Sequence, residues 1–155
     1  MSREYPSHPR VGVAAVVLRD NQVLLVQRGR DPGKGSWGLP GGMLELGETL
    51  ADGARREVME ECGVEIEVGP LVAVFEPIQR DEDGRLRFHY VVVDYLARYL
   101  SGEPRAGDDA DDARWVDLDA LKQLPMRKET REVIWKAAKM TSPTYLVSGK
   151  SPYSS

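Results

Sequence analysis

Glu57, Glu60 and Glu61 stand at i, i+3 and i+4 within the segment Gly41–Val64, GGMLELGETLADGARREVMEECGV. On a helix that spacing brings side chains together on one face. Three carboxylates gathered there repel one another by about 0.2–0.5 kcal/mol per like-charged pair, and Arg56 offsets only part of that. Carboxylate oxygens so arranged suit a hard divalent cation, Mg²⁺ or Mn²⁺. For EVMEE taken alone, a solvated glutamate-rich face is the other reading.

The elements that must position these acids are legible around them. Thr49 is a helix N-cap, and Asp52, three residues on, is a short acidic variant of the capping-box partner. Leu50, Ala54, Val58 and Cys62 recur at helical spacing and mark the buried stripe, which leaves the glutamates on the solvent side. Gly63 supplies the stop, and Gly41-Gly42 make a glycine-rich turn ahead of the helix.

Gly42, Glu48, Arg56, Glu57, Val58, Glu60, Glu61, Gly63 and Val64 together resemble the Nudix box, with no departure from its pattern. Its seven fixed residue types would coincide by chance on the order of once in 10⁸ start sites. The resemblance implies an α/β Nudix fold, an α/β/α sandwich around a mixed sheet in a single domain. It also implies hydrolysis of a nucleoside diphosphate linked to another group, with Mg²⁺ or Mn²⁺ as cofactor. Carried over residue by residue, Glu57, Glu60 and Glu61 match the metal-binding glutamates, and Glu57 the one most often implicated in activating water. The Gly41 carbonyl matches a backbone metal ligand. Arg56 and Glu48 match the pair that pins the loop to the helix. The family's further acid varies in position, and here Asp108, Asp109, Asp111 and Asp112 are available, with Asp112 and Asp109 the candidates.

The rest of the chain supplies a frame. Its 155 residues fit one domain with a proper core. A net charge of −4 gives no basic footprint for long nucleic acid, so a small nucleotide is the expected partner. No apolar run approaches the ~18 residues of a membrane helix, and no signal peptide is evident. Cys62 is the only cysteine, which excludes an internal disulfide and points to the cytoplasm.

Residues 1–10 form a polar, proline-bearing arm expected to be loose, 11–140 the domain, and 141–155 a polar tail. VGVAAVVL (11–18) reads as a strand buried on both faces, and VLLVQ (23–27) as its return. Residues 29–38 read as loop. Within that entrance Arg28 and Arg30 are candidates for phosphate or ribose contacts, the alternative being exposed solubilising charge. Trp37 either plugs the core beneath the loop or meets substrate. Residues 65–74 and 86–100 read as long strands, with His89 in the second, either an in-sheet histidine or a ligand contact. Residues 101–112 read as a flexible acidic loop, 113–116 as a short strand, 117–124 as a short helix, and 127–140 as an amphipathic helix with Val133, Ile134 and Ala137 inward.

The region GDDADDARWVDLDAL and the chain length resemble the ADP-ribose pyrophosphatase-like branch, with Pro77 an imperfect match to a proline common there. PRVGVAAVV and FHYVVV resemble MutT-like enzymes that act on nucleoside triphosphates. A nucleotide-sensing Nudix domain without turnover is the third reading, against which the intact glutamates stand. Relatives of the ADP-ribose type are frequently dimers, so a homodimer is allowed.

Overall fold

The computed structural model describes residues 3–30, 33–107 and 109–141. The expected tail beyond Thr141 and Asp108 lie outside the described residues.

β1 (Arg10–Arg19) is the central strand, and Gly12–Val17 are buried on both faces. It runs parallel to β7 (Leu86–Ser101) and antiparallel to β2 (Gln22–Arg28). β7 in turn pairs antiparallel with β5 (Glu65–Phe75), which has bulges near Leu71. β3 (Trp37–Gly38) and β8 (Ala110–Asp117) flank β2, β4 (Gly41–Met43) pairs with β1, and β6 (Ile78–Arg80) makes a hairpin with β7. One parallel pairing among antiparallel ones makes the sheet mixed.

Helix α1 (Leu50–Cys62) covers one face and α2 (Lys128–Met140) the other, preceded by a 3₁₀ helix (Leu118–Gln123). The apolar rows of β1 and β2 divide by alternation. Ala15, Val17 and Leu24 pack with Val58 and Cys62 of α1. Val16, Leu25 and Leu96 pack with Ile134 and Ala137 of α2. Among the described residues no helix is long and apolar enough to cross a membrane.

Several local expectations need correction. The 29–38 segment ends in β3, because Trp37 and Gly38 find partners on β2. The glycine turn at 41–43 is β4, held by β1. The acidic stretch 101–112 is loop only in its middle: β7 continues to Ser101 and β8 starts at Ala110, so Asp112 is paired to Gln27 of β2 and Asp111 is the extra residue at a bulge in β8. Residues 3–9, expected as a loose arm, touch the β6–β7 hairpin, with Tyr5 N–H donating to Arg87 carbonyl (2.8 Å) and Tyr5 hydroxyl to Asp81 (2.9 Å).

Candidate active site

β4 presents a bare edge to α1. Ala15 N–H donates to Pro40 carbonyl (3.1 Å) and Leu44 N–H to Val11 carbonyl (2.9 Å), so residues 40, 42 and 44 turn toward β1. Alternation turns the backbone groups of Gly41 and Met43 outward. Side chains of α1 meet them there. Gly41 N–H donates to Glu61 Oε2 (3.0 Å), and Met43 carbonyl accepts from Arg56 Nη2 (3.0 Å). The same alternation puts the Gly41 carbonyl on this edge. Glycine is required at both positions: a Cβ on Gly41 would strike the Val13 carbonyl and Ala14, and one on Gly42 would strike the Glu57 carboxylate.

The helix is set by its ends. Thr49 Oγ1 accepts from Asp52 N–H (3.1 Å), and Gly63 at φ 72° closes the C-terminus through Met59 carbonyl (2.9 Å). The cap is one-sided, since the short Asp52 makes no return bond to Thr49 among the described residues. Leu50 is half-buried, and Gly53 takes its place in the stripe with Ala54, Val58 and Cys62.

Arg56 ties the acids together. Its Nε and Nη2 donate to both oxygens of Glu48 (2.5 and 2.9 Å), a paired geometry that guanidinium planarity favours. Its Nη1 donates to Glu57 Oε1 (2.8 Å) and Glu60 Oε2 (3.1 Å). That guanidinium, with the Glu45 N–H, holds the Glu48 carboxyl down to about 2. The solvent-side placement expected for all three glutamates holds only for Glu60, whose side chain is 59% exposed against 17% for Glu57. Glu57 and Glu61 face the β4 edge, because the helix turns that side to the sheet. Burial raises the Glu57 pKa against the pull of Arg56. Burial also pushes Glu61 up to about 7 against the Gly41 N–H, with the Glu57 charge adding to the rise.

No trio of acids among the described residues converges into a ready-made cation site. Arg56 draws Glu57 and Glu60 to itself, while Glu61 is turned to Gly41. The donor chemistry still suits a hard divalent ion. Two half-buried carboxylates repel each other across a glycine edge, and added positive charge would relieve both.

The loop after β7 is stitched to the end of α1 by Gly107 N–H to Glu61 carbonyl (2.7 Å) and Arg105 N–H to Cys62 carbonyl (2.9 Å). This brings Asp109 within Coulombic range of Glu61, and the charge of Arg28 at the end of β2 reaches it too. Arg30 pairs with Asp109 at 3.2 Å. Asp112 stands opposite Gln27, ion-paired to Arg114 and accepting from Ala113 N–H (2.8 Å). Trp37 is buried in the core on the α2 side under the Arg114 guanidinium, which is 5.1 Å from its ring centre. His89 lies opposite Ile78 in the β6–β7 hairpin, with no hydrogen bond or ion pair to the box. Sequence reasoning missed Arg3, whose charge acts on Glu57, and no local spacing could have placed that arm.

A family model described as the NUDIX domain matches residues 8–136. The chain belongs to the Nudix family. It is a Nudix hydrolase with named pyrophosphatase relatives. The ADP-ribose pyrophosphatase of Methanocaldococcus jannaschii is 37% identical over 122 residues, 79% of this chain and 70% of that protein. The MutT NUDIX hydrolase from Burkholderia pseudomallei superposes with a TM-score of 0.72 at 36% identity, covering 84% of this chain and 98% of that one. The NUDIX domain of Shewanella oneidensis NrtR, solved with ADP ribose, gives 0.70 at 26% identity over 88% and 91%. The mixed sheet between helices is the fold this hydrolase shares with those structures.

Proposed function

We propose that this Nudix hydrolase is a divalent-metal-dependent pyrophosphohydrolase that cleaves ADP-ribose to AMP and ribose 5-phosphate. The observation that carries the reading is the pair of half-buried carboxylates, Glu57 and Glu61, facing the Gly41–Gly42 edge. The Methanocaldococcus relative named for this activity and the ADP-ribose complex of the Shewanella domain support the substrate.

Two neighbouring phosphates repel an attacking water, so catalysis is largely charge neutralisation and positioning. Glu57, Glu60, Glu61 and the Gly41 carbonyl are the groups that would hold Mg²⁺ or Mn²⁺, which when bound supplies positive charge at the phosphates and acidifies water. The chain's own part is orientation. Arg56, fixed by Glu48, holds one oxygen of Glu57 and leaves the other against Gly42. Gly41 N–H fixes Glu61. Arg28 and Arg30 line the side where Asp109 approaches Glu61. In the reaction a water oxygen bonds to one phosphorus, the bridging oxygen leaves with the other phosphate, and a carboxylate takes the water's proton. Of the downstream acids, Asp109 is better placed for that than Asp112, which Arg114 engages.

The MutT-like reading draws on the 36% identity to the Burkholderia hydrolase and on a 34% identical MutT-like protein of Streptomyces ambofaciens. A panel of ADP-ribose, other nucleoside diphosphate sugars and nucleoside triphosphates with Mg²⁺ or Mn²⁺ separates the two. AMP plus ribose 5-phosphate is the expected product pair. Turnover of triphosphates alone to monophosphate and pyrophosphate overturns the substrate, and tight binding without product overturns the hydrolysis. The same reading includes a cytoplasmic setting for the single buried Cys62, and light scattering tests a homodimer.

A further inference from the structure

On the α2 face of the sheet, strand registers align Gly41, Ala14, Asp94 and Ala73 in one row across β4, β1, β7 and β5. Directly opposed residues share a face. Ala73 packs against the core on the α2 side, and a Cβ on Gly41 would meet that of Ala14, so the row lies on that face. Three of its members offer a methyl or less. The fourth is a carboxyl.

Asp94 is 2% exposed, and its Oδ2 has no hydrogen-bond partner among the described residues. An unpartnered buried carboxyl is costly, and an apolar side chain of its size would be more stable there. Burial alone pushes its pKa up to about 7, so it holds a proton more readily than an ordinary aspartate. Next to Ala73 a cleft of about 260 Å³ opens between β5 and α2, lined by Ala73, Phe75, Val133 and the charged Glu129, Glu132 and Lys136. Phe75 is the diagonal neighbour of Asp94 across β5 and β7, about 7–8 Å away and within reach of one ring system. The cleft's floor thus offers a π face, and Asp94, one strand in from Ala73 and outside the lining itself, offers one donor and one acceptor beside it.

A nucleobase is the part of a nucleotide with a matching face and edge. The separation along the row also fits. Gly41 and Asp94 are two strand spacings apart, roughly 9–10 Å, so a ribose can bridge a phosphate at the box and a base over β7. We propose that Asp94 and Phe75 form the nucleobase subsite of this chain, Asp94 reading the donor–acceptor edge of an adenine-type base and Phe75 covering its face. The carboxyl's carbonyl oxygen accepts from the exocyclic amine, and its hydroxyl donates to the adjacent ring nitrogen. The assignment rests on the box being the pyrophosphate site.

Titration calorimetry with AMP and with ribose 5-phosphate, together with KM for ADP-ribose, tests it on Asp94→Leu, Asp94→Ala, Asp94→Asn and Phe75→Ala. The Leu, Ala and Phe75 variants are expected to weaken AMP binding and raise KM by about tenfold, with kcat and ribose 5-phosphate affinity little changed. Asp94→Asn keeps a donor and an acceptor and is expected to bind AMP as the wild type does. Asp94→Ala cannot overpack, so it remains decisive even if the leucine variant fails to fold. Unchanged AMP affinity and KM in Asp94→Ala, with ADP-ribose still turned over, overturns the subsite. So does an AMP-bound crystal structure in which Asp94 touches only an ordered water. If the wild type leaves ADP-ribose intact while AMP binding still depends on Asp94, the substrate assignment falls and the subsite stands.

Discussion

Glu61 and Asp94 are both carboxyls that burial pushes to about 7, yet they keep opposite company. Glu61 accepts from the Gly41 N–H, feels the charges of Glu57 and Asp109 against it, and has the charge of Arg28 in its favour. For Asp94, burial is the one cause of the shift among the described residues. The same shift therefore has two different remedies. Positive charge relieves Glu61, because its neighbours are anions. A neutral partner with a donor and an acceptor relieves Asp94, because burial penalises its charged form and no neighbouring charge among the described residues shifts it. One sheet thus divides a nucleotide site into an electrostatic edge and a hydrogen-bonding face.

The sharpest way to break this division is to neutralise the edge. Glu57→Gln and Glu61→Gln are expected to cost about 10²–10⁴ in kcat on ADP-ribose while circular dichroism stays unchanged. A change confined to KM in Glu61→Gln would move that residue to the binding side and erase the contrast with Asp94.

The two glycines give the next largest effects, and they should separate. A methyl on Gly42 meets the end of a side chain, the Glu57 carboxylate, so Gly42→Ala is expected to lower kcat roughly tenfold or more with a small change in Tm. A methyl on Gly41 meets the Val13 carbonyl and Ala14, which cannot swing aside, so Gly41→Ala is expected to cost about 1–3 kcal/mol of stability. Thermal unfolding and kinetics on the same two samples decide it. Equal Tm losses would mean that Glu57 is as rigidly fixed as the strand.

Much of the edge can be read from the sequence, and little of the face. The spacing of Glu57, Glu60 and Glu61, the Thr49 cap and the Gly63 stop are local features, fixed by helix geometry within a few turns. The apolar run at 11–18 and the pattern at 127–140 are equally plain, since β1 sits mid-sheet and α2 buries Val133, Ile134 and Ala137. What turns Glu57 and Glu61 inward is β4, a three-residue strand held by β1, and such pairing leaves almost no local signature. β8 extends beyond its sequence signal for the same reason: Ala110 and Asp112 look like loop until β2 pairs with them. Asp94 does leave a trace, an acid inside VVVDYLA, but only the register across four strands shows that it shares a row with Gly41.

The smallest effect tests the comparison without substrate. In the folded chain Glu61 titrates near 7 instead of 4.5, and Asp94 near 7 instead of 3.8. Between those values the native state keeps protons that the unfolded chain has released. Stability therefore falls as pH rises through that window, by up to about 1.4 kcal/mol per pH unit for each group. Glu48 behaves oppositely: held down to about 2, its contribution is complete above 4.5 and adds no slope there. Urea unfolding between pH 5 and pH 7 then isolates the raised groups. Asp94→Asn and Glu61→Gln should each flatten the slope. Adding Mg²⁺ should flatten it further in Asp94→Asn and hardly at all in Glu61→Gln, because only the edge carboxyl trades its proton for a cation. A Mg²⁺ response that survives Glu61→Gln intact would place the ion elsewhere and leave the two carboxyls alike.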